Sequence, residues 1–265
     1  MVQGWLQVAQ EALKVPGVLV EIYGDLAKPG VKQAGVALGT VIGLGNTILW
    51  PIALANERAR IALEKNLEKY RKAMELVPEE KVVEIAPEIG VPIAEKLTYV
   101  TDESLTDMYV NLLATSSSSD TLGDAHPSFV NVINNLSPDE ARLLEHFVSN
   151  EVLPFVIAKA VKADDGSHNV LSGAIVPEIV LEGLNFPNNV DAYLNNLEGL
   201  GLLDIRKDEW LTDDTIYKPL QDRDKTALET IIASEPSLAG RKLEYTKGAV
   251  ARTSFGRKFI AACHK

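Results

Sequence analysis

Between Ala34 and Ala55 the chain reads AGVALGTVIGLGNTILWPIALA, 22 residues without one charged side chain, and any fold must shelter or place that stretch. A helix of this length reaches across a bilayer, which takes roughly 20 apolar residues. Gly35, Gly39 and Gly43 recur at every fourth position, on one helical face, with Gly45 close behind and Trp50-Pro51 near the end. Such spacing of small residues lets two helix backbones approach closely. Against a uniform membrane span, Thr40, Asn46 and Thr47 are polar, Pro51 lacks a backbone donor, and glycine is a poor helix former in water. Three placements follow: a buried helix, or a hairpin bent near Gly45-Asn46, inside a soluble domain; a constitutive membrane segment; or a segment sheltered in one state and exposed to membrane or partner in another. Gly35, Gly39, Gly43, Gly45 and Trp50 are the candidate membrane or helix-packing residues.

The rest of the chain is ordinary globular protein. Its 265 residues, 46% hydrophobic and 24% charged, suffice for one large or two average domains. A net charge of −11 argues against a general affinity for phosphate backbones or anionic lipid. The single cysteine, Cys263, leaves no intrachain disulfide, and His126, His146, His168 and His264 have no metal-ligand spacing, so no metal or cofactor is expected. The opening MVQGWLQVAQEALK has no basic start followed by an apolar run, hence no secretory signal is expected. The expected location is cytoplasmic, with peripheral or conditional contact at the inner membrane.

Periodicity fills in the elements. Stripes at Trp5, Leu6, Ala9, Ala12, Leu13 and at Val18, Leu19, Ile22, Tyr23, Leu26 give two short helices that would cover the apolar segment. A charged helix from about Asn56 to Val77 carries Leu63, Leu67, Tyr70, Met74 and Val77 on one side. Pro78 to Pro92, with three prolines, reads as an extended connector. Thr101 is the expected cap of a helix bearing Leu105, Met108, Tyr109, Leu112 and Leu113. Ser116 to Asp120, SSSSD, reads as a solvated loop. Without a strand-turn-helix elbow around them the serines form no nucleophile motif. His126-Pro127-Ser128 opens a helix with Phe129, Val132, Ile133 and Leu136 inward, and Ser137-Pro138-x-Glu140 forms a capping box for the next.

From Ser137 the order of elements resembles a winged-helix domain: a helix over Asn188–Leu200 ending in Gly201-Leu202-Leu203, polar and strand-like residues with Leu243-Glu244-Tyr245-Thr246 returning, and a closing helix Thr253–Ala262. The fold class expected is mainly α, an N-terminal helical region (1–121) holding the apolar segment and a helical, winged-helix-like part (122–265) with a small β-hairpin. The candidate recognition helix NNVDAYLNNLEGL has asparagines but no basic residue, and residues 137–265 hold 15 Lys+Arg against 20 Asp+Glu, which speaks against sequence-specific DNA. One basic cluster stands out: Arg241, Lys242, Lys247, Arg252, Arg257 and Lys258 against Glu244 alone. It would meet an anionic ligand, or pair with the acidic loops at Asp213-Asp214 and Asp222–Asp224 of the same domain.

Together, the Lys-Pro-Gly leading into the glycine-rich stretch, the proline-rich connector, Tyr109-Val110-Asn111-Leu112-Leu113-Ala114-Thr115-Ser116, His126-Pro127-Ser128-Phe129-Val130 and Leu136-Ser137-Pro138-Asp139-Glu140-Ala141 resemble the Abi-alpha family, a bacterial domain family whose name associates it with abortive phage infection. The resemblance spans about residues 20 to 260 and implies a place in antiviral defence. It supplies no catalytic residues. No phosphate-cradling loop with its lysine and no nucleophile motif is present, so a non-enzymatic protein is expected and no small-molecule substrate is evident. The leading expectation is a defence protein acting through the glycine-rich segment at the inner membrane. The alternatives are a soluble adaptor or homo-oligomeric scaffold binding a protein partner, and a winged-helix regulator.

Overall fold

The structure is a computed structural model that describes residues 31–48, 57–207 and 209–264. The two stripes before Lys28, and Trp50, lie outside the described residues. The chain divides into two compact units, 1–138 with 258–265, and 139–257. Residues 122–138 and the chain's last residues thus cluster with the N-terminal region. The protein is mostly helical, with a small four-stranded antiparallel sheet in its C-terminal part.

In the first unit the apolar stretch forms α1 (Val31–Ile48), followed by α2 (Glu57–Met74), α3 (Pro87–Lys96), α4 (Glu103–Ser116) and α5 (Ser128–Asn134). Leu63, Leu67, Tyr70 and Met74 of α2 are all buried, so the four-three spacing read from sequence is a bundle face, and the helix ends at Met74 rather than Val77. The cap of α4 lies one residue later than expected: Asp102, not Thr101, accepts the Leu105 amide at 3.2 Å. The proline-rich connector is in part a helix. Pro87 sits at the first helical turn, where a missing N–H costs nothing, and Pro92 lies inside α3.

The serine run is solvated only at its end, where Ser119 and Asp120 are exposed. Ser116 and Ser117 are fully buried and Ser118 nearly so. The Ser116 and Ser117 hydroxyls each donate to the Leu113 carbonyl at 2.9 and 2.6 Å, and Ser117 Oγ also shares a 2.7 Å hydrogen bond with the Tyr70 hydroxyl. The backbone of 117–119 pairs with 81–83 through Val83 N to Ser117 O and Ser119 N to Lys81 O. Serine is small enough to let the two segments touch while satisfying its own hydroxyl locally.

Where α1 meets α3 the close approach is made by Gly90. A Cβ there would stand 2.3 Å from Val41 Cγ2 and 3.1 Å from Ile85 Cγ2. Ala34, Gly35, Ala37, Leu38 and Val41 of α1 are buried, and Ile85 N donates to the Ala37 carbonyl at 3.0 Å. A Cβ on Gly39 would meet nothing within 4 Å. Gly90→Ala should therefore cost about 1–3 kcal/mol, because Val41 is stiff and packed. Gly39→Ala should be neutral or stabilising by up to about 1 kcal/mol. Urea midpoints of the two variants check this, and a larger loss at Gly39 would contradict the packing described.

The second unit opens with α6 (Pro138–Ser149) and continues with β1 (Val152–Lys162), β2 (His168–Val170), α7 (Glu178–Leu181), α8 (Val190–Gly199), β3 (Leu203–Arg206), α9 (Lys218–Arg223), α10 (Lys225–Ser234) and β4 (Arg241–Arg252). Helix α11 (Ser254–Cys263) starts here, and its residues from Lys258 cluster with the first unit. The sheet is larger than the expected hairpin: β1 and β2 form one, within an order β2-β1-β4-β3 whose centre is the long pair β1/β4, in register from Val152 opposite Ala251 to Lys162 opposite Arg241. Pro154 is tolerated in β1 because the strand's outer side is not paired there. Two residues on, Val156 N points outward to Ile175 O, so by the period of two the missing Pro154 donor also faces outward.

Candidate functional site

That unpaired outer side of β1 is one wall of a cleft of about 170 Å³. His146, Phe147 and Asn150 come from the end of α6, and Val152, Leu153 and Pro154 from the start of β1. Pro177, Ile179 and Val180 close the third side. Phe147, Leu153 and Val180 are buried, whereas Ile179 is 58% exposed. The α6 end is fixed by Asn150, whose amide N–H and side-chain Nδ2 donate to the His146 carbonyl at 3.3 and 2.8 Å. The wall is therefore apolar, with its polar groups at one end, and a large aliphatic side chain is left on its rim. At this volume it is smaller than the roughly 300–1,000 Å³ usual for small-molecule sites and suits an inserted side chain.

At the start of α6 the unit is held by a buried carboxylate. Asp139 accepts the Asn185 and Phe186 amides at 2.9 and 2.8 Å, Asn185 Nδ2 at 3.2 Å, the Tyr193 hydroxyl at 3.0 Å and Arg142 Nη1 at 2.8 Å. Burial alone would raise its pKa, but those two amides, the Tyr193 hydroxyl and Arg142 outweigh it and hold the carboxyl below the usual aspartate range. Its oxygens are saturated, so it anchors the 185–193 segment to α6. Neighbouring Glu140, read from sequence as a capping-box partner, accepts Asn196 Nδ2 at 2.7 Å.

The glycine-rich residues are divided. Gly35 is buried in the first unit, and Gly39 is half-buried with open space where a Cβ would go. Gly43 and Gly45 continue α1, but their surroundings fall outside what the structure describes. α1 has 18 residues and includes Lys32 and Gln33, and among the described residues no helix is long and apolar enough to cross a membrane.

Nor do the basic residues converge. Arg241 and Lys247 have odd positions on β4 and Lys242 and Arg252 even ones, so the strand's alternation sends them to opposite faces. Arg241 Nη1 donates to the Ser167 carbonyl at 2.6 Å, and Arg252 Nη2 bridges to Glu151 at 3.3 Å. Arg257 donates to the Arg252 carbonyl and to Ser254 Oγ, and Lys258 clusters with the first unit. Only Lys247, 2.6 Å from Asp214 and over the Tyr217 ring, makes the expected pair with an acidic loop.

On α8 the asparagines are committed within the unit: Asn195 donates to Asp191 O and Asn196 to Glu140. Glu198 accepts the Ile205 amide at 2.8 Å, which blunts the β3 edge. His126 serves the start of α5, its Nδ1 accepting the Ser128 amide at 3.1 Å. Burial lowers the His264 pKa to about 4, and its Nε2 is buried without a hydrogen-bond partner. Among the described residues no group of His, Cys, Asp or Glu is arranged to hold a metal.

A family model described as abortive infection alpha matches residues 62–263. The match takes in the Tyr109–Ser116, His126–Val130 and Leu136–Ala141 motifs and begins after α1, so residues 34–55 lie outside it. Among solved structures the chain is similar to an uncharacterized protein from the hydrocarbon-degrading marine bacterium Alcanivorax borkumensis SK2, at 18% identity over 52% of this chain and 92% of that one, with a TM-score of 0.33. No curated protein matches.

Proposed function

Because this chain belongs to the abortive infection alpha family, we propose that it acts in bacterial anti-phage defence as a non-enzymatic protein-binding component, with the apolar cleft of the second unit as its working surface. The observation that carries the reading is Ile179, a large aliphatic side chain 58% exposed on the rim of a cleft whose Phe147, Leu153 and Val180 are buried. Binding energy at protein interfaces concentrates where such a pocket receives a partner's side chain. The succession α8–β3 and β4–α11 supports a winged-helix-like reading of this unit. Asp191 and Glu198 on α8, and its committed asparagines, favour protein over DNA as what it contacts.

A second reading keeps residues 34–55 as a conditional membrane element and rests on their charge-free sequence. The buried Ala34, Ala37, Leu38 and Val41 favour a packing role instead.

The test is phage challenge of cells expressing the protein. Ile179→Asp should lose protection by at least about tenfold in plaquing efficiency while keeping the thermal midpoint, since the residue is exposed and the cost falls on binding. Full protection by this variant would overturn the proposal.

A further inference from the structure

We propose that the cleft's occupant is a protein segment presenting a bulky apolar side chain flanked by lysines or arginines. The inference rests on the reading of the cleft as a binding surface and adds the partner's chemistry. Its apolar half follows from Phe147, Leu153 and Val180 on the walls and Ile179 on the rim.

Its basic half follows from charge. Glu145, Glu151 and Glu178 are exposed, and each is the immediate chain neighbour of a lining residue: His146, Asn150 and Val152, or Pro177 and Ile179. That is about 3.8 Å of backbone, well inside the Debye length of about 8 Å at physiological ionic strength. From Ala163 to Ile205 there are seven Asp and Glu residues and no Lys or Arg, and between Leu143 and Ala158 there is no Lys or Arg either. Two cations reach the cleft from elsewhere in the chain, and each has an acid beside it: Arg252 answers Glu151 at 3.3 Å, whose side chain stays 80% exposed, and Arg223, which donates to the Val176 carbonyl at 2.8 Å next to Pro177, lies 3.5 Å from Asp224. A segment with acids beside its anchor would meet like charge, which costs several kcal/mol across an interface, and one with basic flanks would be drawn in.

The experiment measures binding of fluorescein-labelled peptides to the purified full chain. One peptide has a central Leu-Phe pair flanked by lysines, the second has the same pair flanked by glutamates, and the third has the lysines with Gly-Ser in place of Leu-Phe. The first should bind at least about tenfold tighter than either other, weaken as salt is raised, and lose at least about tenfold on Ile179→Ser, which removes the apolar side chain without adding charge. Glu145→Gln with Glu178→Gln should erase most of the preference for lysine flanks. Equal or tighter binding of the glutamate peptide, still sensitive to Ile179→Ser, would overturn the basic partner and leave the cleft reading standing. Equal binding of the Gly-Ser peptide, or insensitivity to Ile179→Ser, would overturn the inference by showing attraction to charge away from the cleft. Failure of the wider reading is scored separately, by Ile179→Asp cells that stay protected from phage.

Discussion

Gly256→Ala should unfold the second unit's native packing, with a loss of more than about 3 kcal/mol in urea titration and new sensitivity to limited proteolysis between residues 139 and 257. A Cβ at position 256 would lie 2.0 Å from the Leu202 carbonyl oxygen and 2.8 Å from its carbon. The obstacle is backbone, so no rotamer change relieves it. Leu202 cannot retreat, because its carbonyl accepts Thr253 N at 3.1 Å and the Thr253 hydroxyl binds Gly201 O at 2.6 Å. Thr253 Oγ1 in turn accepts the Gly256 amide at 2.8 Å, capping α11. The α8 end is fixed as well, since Gly201 has φ 75°, a conformation that favours glycine. Gly199→Ala is the control: nothing lies within 4 Å of its added Cβ, and the change should be neutral or stabilising by up to about 1 kcal/mol. A Gly256→Ala protein with a wild-type midpoint would contradict this junction.

Asp139→Asn should cost about 3–5 kcal/mol, because it leaves Arg142 and two backbone amides of 185–186 facing a group that accepts at one atom only. The loss has a pH signature. The folded carboxyl titrates below its ordinary value near 3.9, so its contribution is complete above that value and is lost as pH falls through the lower folded one. His264 acts in a different window. Its folded pKa of about 4 lies below the ordinary 6.5, so the stability it gives by staying neutral is complete above about pH 6.5 and declines as pH falls towards 4. Wild type should therefore weaken in two stages on acidification, and Asp139→Asn should lack the lower one. An unchanged stage below pH 4 in Asp139→Asn would show that the carboxylate is not the acid-sensitive group.

What the sequence disclosed depended on range. The α2 stripe of Leu63, Leu67, Tyr70 and Met74 was readable because helical contacts lie three and four residues apart. The motif Tyr109–Ser116 was visible as a motif, but its work was not. Asn111 and Thr115, four apart on α4, donate to the Cys263 and Ala262 carbonyls at 3.0 and 2.9 Å, groups that a helix end leaves unsatisfied. The serine run is polar yet largely buried, because a hydroxyl can bond its own helix and leave solvent. Pro92 is likewise a helix breaker by type that is housed inside α3. The β1/β4 pair was hidden by the sequence between the strands, which holds β2, α7, α8, β3, α9 and α10, and Val152–Val161 alone fits strand or buried helix. The cleft joins three separate segments. Its one local signal was Pro154, which marks a strand side without a hydrogen-bonding neighbour.

The basic cluster shows the same limit from the other side. Of six cations close in sequence, four fall on opposite faces of β4 and the other two lie on α11, one in each unit. A count along the chain cannot see that alternation until the strand is assigned.

The central claim is that defence runs through the cleft while the glycine-rich helix is packing. A phage challenge comparing Ile179→Asp with Gly39→Leu, both checked for wild-type thermal midpoints, tests it most directly. The account predicts lost protection with Ile179→Asp and retained protection with Gly39→Leu, since an added Cβ there meets nothing within 4 Å. Retained protection with Ile179→Asp and loss with Gly39→Leu would contradict it and return the working part to residues 34–55.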